Sequence, residues 1–322
     1  MELDLYDKRI LEILLNNSRE QISSIGKKIR LRRENVNYRI NRLIRSGLIK
    51  EFNTIINEKN LNLSHYVVFL ELINLKEDTE EKILNYLKNN KYMGWIGTSA
   101  GKWSLTFDVI APERTEIEKV VRDFLDKFGR FIDDYVLLRF QEGDYFGLKF
   151  LGLVKKVNIN ESIHHEVKLD KKDIKILSLL NKNSRANYVE ISKIVNLTPN
   201  GITNRIKNLK KSGIISNYTI SLDWKKLGYE WYGIQLKLTK FEEEIDRRLI
   251  NYFKNHKRVI FYYKYLGGIW DYDIGVIVKD SNELRDFINE FRKNFSDSVK
   301  ISDVFLTLEE TTGYKLPKGI FE

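Results

Sequence analysis

Apolar residues recur at helical spacing in residues 31–49, and the same pattern returns without a gap in residues 197–215. Val36, Ile40 and Leu43 in the first stretch match Ile202, Ile206 and Leu209 in the second. Spacing of this kind marks the buried face of a short amphipathic helix. Ser46-Gly47 and Ser212-Gly213 then supply a stop, since glycine after the last periodic residue ends helices. Glu34, Tyr38, Asn41, Arg42 and Arg45 point away from the first stripe, and Arg32, Arg33 and Asn37 join them as candidate DNA contacts. Asn200, Asn204, Lys207, Asn208 and Lys211 point away from the second, and Thr198 and Thr203 are further candidate contacts. Cationic and amide side chains on an outward helix face suit phosphates and base edges, so both stretches are expected to read DNA.

The pattern around these stretches is also doubled. Residues 4–16 and 170–182 each predict a first helix with acidic residues in its opening turn, and residues 22–29 and 188–195 a second. Three short helices with a basic third form the helix-turn-helix plan. Beyond each stop the chain alternates, which predicts an extended arm. Strand, helix, two strands, helix and strand follow, near residues 65–73, 79–89, 92–98, 103–110, 114–127 and 133–140, and again in the second half. This βαββαβ order is the ferredoxin-like plan, and half-buried strands leave one sheet face needing cover. The expected class is therefore α+β. Two winged-helix-like DNA-binding domains (1–60 and 167–226) are each followed by a ferredoxin-like domain (61–142 and 227–322), with a linker at 143–166. A second copy of the sheet domain is the obvious cover for the first.

Charge sharpens this picture. Residues 1–50 hold twelve Lys and Arg against six Asp and Glu, and residues 167–216 hold eleven against three. The rest of the chain is slightly acidic, although the whole carries +10. A basic excess confined to one repeated module is the footprint of double-stranded DNA binding. With no cysteine in 322 residues, disulfides and cysteine-based metal sites are excluded. His164-His165 lacks acidic ligands at metal spacing, so no metal and no cofactor are expected. No membrane span and no signal-peptide core are seen, and the expected location is cytoplasmic.

The second repeat resembles the Lrp/AsnC (feast/famine) transcription regulators. The likeness rests on Leu197-Thr198-Pro199, Arg205-Ile206, Gly213-Ile214-Ile215, Asn217-Tyr218-Thr219 and the turn Gly268-Ile269-Trp270-Asp271. It covers both halves, as a duplicated, single-chain version of what that family usually builds from two chains. The first repeat departs from it with Arg32 in place of Thr198 and Ser104 in place of Asp271. Thr198 can cap its helix with Pro199 behind it; Arg32 either leaves that helix uncapped or holds a phosphate. Arg39 and Arg205 edge the apolar stripe, where each makes either an internal ion pair or a phosphate contact.

The resemblance implies a small effector, often an amino acid, at the turns between the central strands. Here these contain Gly101, Trp103, Gly268, Trp270 and Asp271; the alternative is an ordinary hairpin turn with a core tryptophan. It also implies pairing of whole chains into a homodimer. Siroheme decarboxylases resemble the same fold, but that reading calls for a histidine on the second strand of the sheet domain, and neither copy has one. An RNA-recognition reading lacks its aromatic signature on the third strand. The basic helices retained in both copies speak against a metabolite sensor that has lost DNA binding.

Overall fold

The computed structural model describes residues 2–146, 149–151, 168–313 and 315–322. The two three-helix units are α1 (Leu5–Asn16), α2 (Ile22–Ile29) and α3 (Arg33–Arg45), then α6 (Lys171–Lys182), α7 (Tyr188–Val195) and α8 (Pro199–Lys211). Asp4 and Asp170 begin α1 and α6, each accepting a backbone N–H three residues on at 2.8 Å, from Asp7 and Asp173. The arms leaving the units, β1 (Ile49–Ile56) and β6 (Ile215–Leu222), pair antiparallel with each other and form a two-stranded ribbon.

Each half then builds one sheet domain. The first contains β2 (Ser64–Leu72), α4 (Glu77–Asn89), β3 (Met93–Ala100), β4 (Leu105–Ala111), α5 (Arg114–Phe128) and β5 (Ile132–Tyr145). The second contains β7 (Glu230–Leu238), α9 (Glu243–Asn255), β8 (Val259–Leu266), β9 (Tyr272–Val278), α10 (Ser281–Phe295) and β10 (Val299–Thr312). Strand order is β3-β4-β2-β5 in one and β8-β9-β7-β10 in the other, and the edge pairs β5–β8 and β10–β3 close the eight strands into a barrel. Closure removes the unpaired edges that either sheet would expose alone. Each helix pair packs apolar residues on the outside of its own sheet, such as Ile83, Leu87 and Phe124 in one half and Leu249, Phe253 and Phe291 in the other. Between the sheets, Val67, Phe69, Trp103 and Leu138 meet Tyr265, Trp270 and Phe305.

The three-helix units cross over. The first packs on the second half, through Ile220, Leu222, Trp224, Trp231 and Ile277. The second packs on the first half through Ile56 and Ile110, and on the C-terminal Leu316. The crossing is close to symmetric. Ser18 N–H donates to Tyr218 O at 3.0 Å and Ser184 N–H to Phe52 O at 2.9 Å. The two serine hydroxyls meet at 2.7 Å, marking an internal pseudo-twofold axis. Thr54 Oγ1 donates to Leu180 O at 2.7 Å and Thr219 Oγ1 to Leu15 O at 2.9 Å, so both arms bond to the opposite first helix.

Two local differences from the sequence reading have physical causes. β5 continues past residue 140 to Tyr145 because β8 gives its backbone partners, Tyr145 standing opposite Phe261. Phe146 is then buried in the second half's core, so residues 143–146 extend the sheet rather than begin a linker. His164-His165 and most of the expected linker lie outside the described residues.

Candidate nucleic-acid interface

α8 begins as its sequence requires. Thr198 Oγ1 accepts from Gly201 N–H at 3.1 Å, and Pro199 occupies the first turn, where its missing N–H costs nothing. α3 starts at Arg32, whose side chain makes no capping bond and is exposed. Arg33, Glu34, Asn37, Tyr38 and Arg45 are exposed on α3, with Tyr38 61% accessible. Thr198, Asn200, Thr203, Asn204, Lys207 and Lys211 are exposed on or beside α8. Thr203 donates its hydroxyl to Pro199 O at 3.0 Å, which leaves its oxygen able to accept beside the two asparagines and the two lysines of that face.

Three arginines turn inward. Arg39 donates to Asp4 at 2.6 Å and Asp7 at 2.8 Å, and Arg205 donates to Asp170 and Asp173, both at 2.8 Å. Of the two sequence readings of this position, the geometry is that of the internal ion pair. Arg42, placed by periodicity among the outward readers, is half-buried and donates to the other oxygen of Asp7. The cause is Asp7 itself, whose side chain is 1% exposed, so its buried carboxylate draws two guanidinium groups. In the second unit Asp173 is 16% exposed and Arg205 suffices, while the residue in Arg42's place, Asn208, is exposed.

The inter-strand turns are built around buried rings. Gly101 (φ +137°) and Gly268 (φ +114°) take backbone that side chains avoid, and an added Cβ would lie 3.1 Å from Phe305 Cβ and 2.3 Å from Leu138 Cδ2. Trp103 and Trp270 meet edge to face at 5.3 Å inside the barrel. Asp271 accepts from Leu238 N–H at 2.7 Å and pairs with Lys237; Ser104 accepts from the equivalent Leu72 N–H at 2.9 Å. The Ser-for-Asp departure thus keeps one backbone bond and drops one charge.

Periodicity did not single out a polar cluster buried inside the barrel. His65 lies 2.8 Å from Glu58 and 3.6 Å from Asp108. Burial opposes its charge, but Glu58 and Asp108 outweigh burial and push it up to about 10. Asp273 accepts from Gln235 Nε2 at 3.0 Å, while burial and the nearby Asp108 push its carboxyl up to about 8. The available signal was an Asp on the inward side of an otherwise apolar strand.

A carboxyl with a raised folded-state pKa gives stability that is full below its unfolded value, near 3.8, and lost as pH rises through about 8. Asp273→Asn is therefore expected to match the native chain at pH 4. At pH 8 it should be more stable by at least about 1.4 kcal/mol, the free energy of a tenfold change in proton affinity. Thermal unfolding across that range checks this; a constant difference at every pH contradicts it.

Residues 3–50 and 169–216 both match the family model for winged helix-turn-helix DNA-binding domains. An uncharacterized HTH-type transcriptional regulator of Pyrococcus abyssi is 31% identical over 148 residues, which is 44% of this chain and 93% of that protein. The chain belongs to the HTH-type transcriptional regulators. A further regulator, from Pyrococcus horikoshii, is 36% identical over 148 residues, 44% of this chain and 93% of its own length. Such relatives correspond to one half of the present regulator. A match over both halves comes from the siroheme decarboxylase NirDL, solved in complex with an iron-uroporphyrin III analogue. It covers 97% of this chain and 94% of that one with a TM-score of 0.65; at 12% identity the likeness is one of fold. Among the described residues no helix is long and apolar enough to cross a membrane.

Proposed function

We propose that this chain is a sequence-specific DNA-binding transcriptional regulator that carries two unlike recognition helices, α3 and α8, in one polypeptide. The observation that carries the reading is the pair of exposed polar helix faces, one per half, locked together about the Ser18–Ser184 axis. Each helix enters a major groove, its lysines and arginines hold phosphates, and the closed barrel sets the distance between the two. The chain acts without catalysis. Small-molecule sensing belongs to the sheet domains, and the resemblance points to an amino acid at the turns holding Gly101, Trp103, Gly268, Trp270 and Asp271. Whole chains pair into a homodimer; Leu266 and Ile269 beside one turn are 56% and 52% exposed, which supports a contact there.

The test is a titration of the intact chain with duplex DNA and with single-stranded RNA over a range of salt. Duplex affinity is expected to exceed RNA affinity and to fall with salt, log K losing roughly 0.9 per log unit of salt for each phosphate neutralised. Equal binding to both, or a flat salt response, contradicts the reading. The strands that would need a histidine in the decarboxylase reading, β3 and β8, contain none. Mixing with iron-uroporphyrin III is accordingly expected to leave its Soret band unchanged.

A further inference from the structure

A cavity of about 350 Å³ lies between the β1–β6 ribbon and the mouth of the barrel. Ribbon residues Asn53, Thr219 and Ser221 form one side, and barrel residues Thr106, Asp108 and Asp273 form the other. Its walls are aromatic, with Trp95 and Trp231 5.3 Å apart at 52° and Trp231 edge-on to Phe261 at 5.8 Å. The size and the apolar lining with a few fixed polar groups are those of a small-molecule site. None of the turn residues Gly101, Trp103, Gly268, Trp270 and Asp271 lines it.

The polar groups define the ligand. Five carboxylates line the cavity, Glu51, Asp108, Asp144, Asp273 and Glu310, against one lysine, Lys50. Four of them have cationic partners: Lys315 for Glu51 at 2.7 Å, Lys50 for Glu310 at 3.8 Å, Lys254 for Asp144 at 3.9 Å and His65 for Asp108. Asp273 alone has no ion pair among the described residues, although it is 6% exposed. Buried carboxylates are ordinarily paired or protonated; Asp273 is held in its protonated form, and an arriving cation would supply the counter-charge that lets it ionise. Among the described residues, Thr106 Oγ1, Asn53 Oδ1 and Trp231 Nε1, which line the same cavity, are buried without hydrogen-bond partners. Gly275, two residues along β9 from Asp273, lets the Phe261 ring and Trp231 pack against the strand: a Cβ there would lie 2.2 Å from the ring and 2.9 Å from Trp231 Nε1.

We propose that this cavity binds a small organic amine, whose ammonium meets Asp273 and whose flat apolar body stacks among Trp95, Trp231 and Phe261. Aromatic faces attract cations as well as apolar surface, and an anion would meet no free lysine among the described lining residues, since Lys50 is paired with Glu310. Thr106 and Asn53 accept the remaining ammonium protons. The site is separate from the turns and touches the ribbon that carries both DNA-binding units. It does not depend on the DNA reading, since the binding is measured without nucleic acid.

The experiment is calorimetric titration of the intact chain at pH 7 with tryptamine, with tryptophan and with indole-3-propionate. These share one ring and differ in charge. Tryptamine is expected to bind at least tenfold tighter than tryptophan, with no heat from indole-3-propionate. Asp273→Asn, whose side-chain oxygen can still accept from Gln235, is expected to lose tenfold or more of the tryptamine affinity. Ser221→Phe, which fills the cavity from the ribbon side and leaves Asp273 in place, is expected to abolish binding. Equal binding of the amine and the propionate, no tryptamine binding by the native chain, or full affinity in either folded variant overturns the proposal.

Discussion

Trp103→Ala is expected to lower the stability of the intact chain by about 3–5 kcal/mol, the range for deleting a large buried aromatic. Trp103 is 1% exposed and stands edge to face with Phe69 at 6.3 Å and with Trp270 at 5.3 Å. These rings come from both halves, so the cavity left behind opens the seam between two sheets rather than the core of one. Trp270→Ala should behave alike, and the double variant should cost less than the sum, because the two rings share a contact. Urea unfolding measures all three. A loss below about 1 kcal/mol for either single variant, well short of the usual range for such deletions, would show that the barrel is not held through its centre.

The second large effect concerns charge on the recognition helices. Replacing Lys207 and Lys211 together with alanine should lower the salt slope of duplex binding by about 2 and weaken binding across sequences. Arg33 and Arg45, exposed on α3, should act in the same way. Arg39, Arg42 and Arg205 should not. Their guanidinium groups neutralise Asp7 or Asp170 and Asp173, so alanine there should reduce stability, most at Arg42 and Arg39 where the carboxylate of Asp7 is buried. An unchanged slope for both lysines, with a reduced slope for Arg39→Ala, would reverse this assignment.

These contrasts show what was legible in the sequence. The apolar stripe Val36-Ile40-Leu43 and its repeat located both third helices, and Thr198-Pro199 announced the start of one, because caps and periodicity are local properties. Period-two alternation located the strands, and the unpartnered sheet face implied the second copy. What periodicity could not resolve was direction within a turn of helix. Arg42 lies on the rim between the two faces, and only the burial of Asp7, 35 residues away, decides where it points. Nor could it foresee that each three-helix unit crosses to the other half, since Ser18–Tyr218 and Ser184–Phe52 are bonds between distant segments. The cavity under the ribbon is hidden for the same reason: its carboxylates come from strands of both halves and from the arms.

The central claim is that one chain presents two different readers. α3 offers Arg33, Glu34, Asn37, Tyr38 and Arg45, while α8 offers Asn200, Thr203, Asn204, Lys207 and Lys211. Asparagine suits the N6 and N7 edge of adenine, and arginine the O6 and N7 edge of guanine. Selection of bound duplexes from a random pool by the intact chain tests this most directly. The account expects a bipartite site with unlike halves, centred about one helical turn apart or a multiple of it, the half read by α8 richer in A·T. Asn204→Ala should relax preference in that half alone, at a cost of about 1–3 kcal/mol. A perfect palindrome, or an Asn204→Ala change that weakens both halves equally, would contradict the claim and mean that two chains each present the same helix.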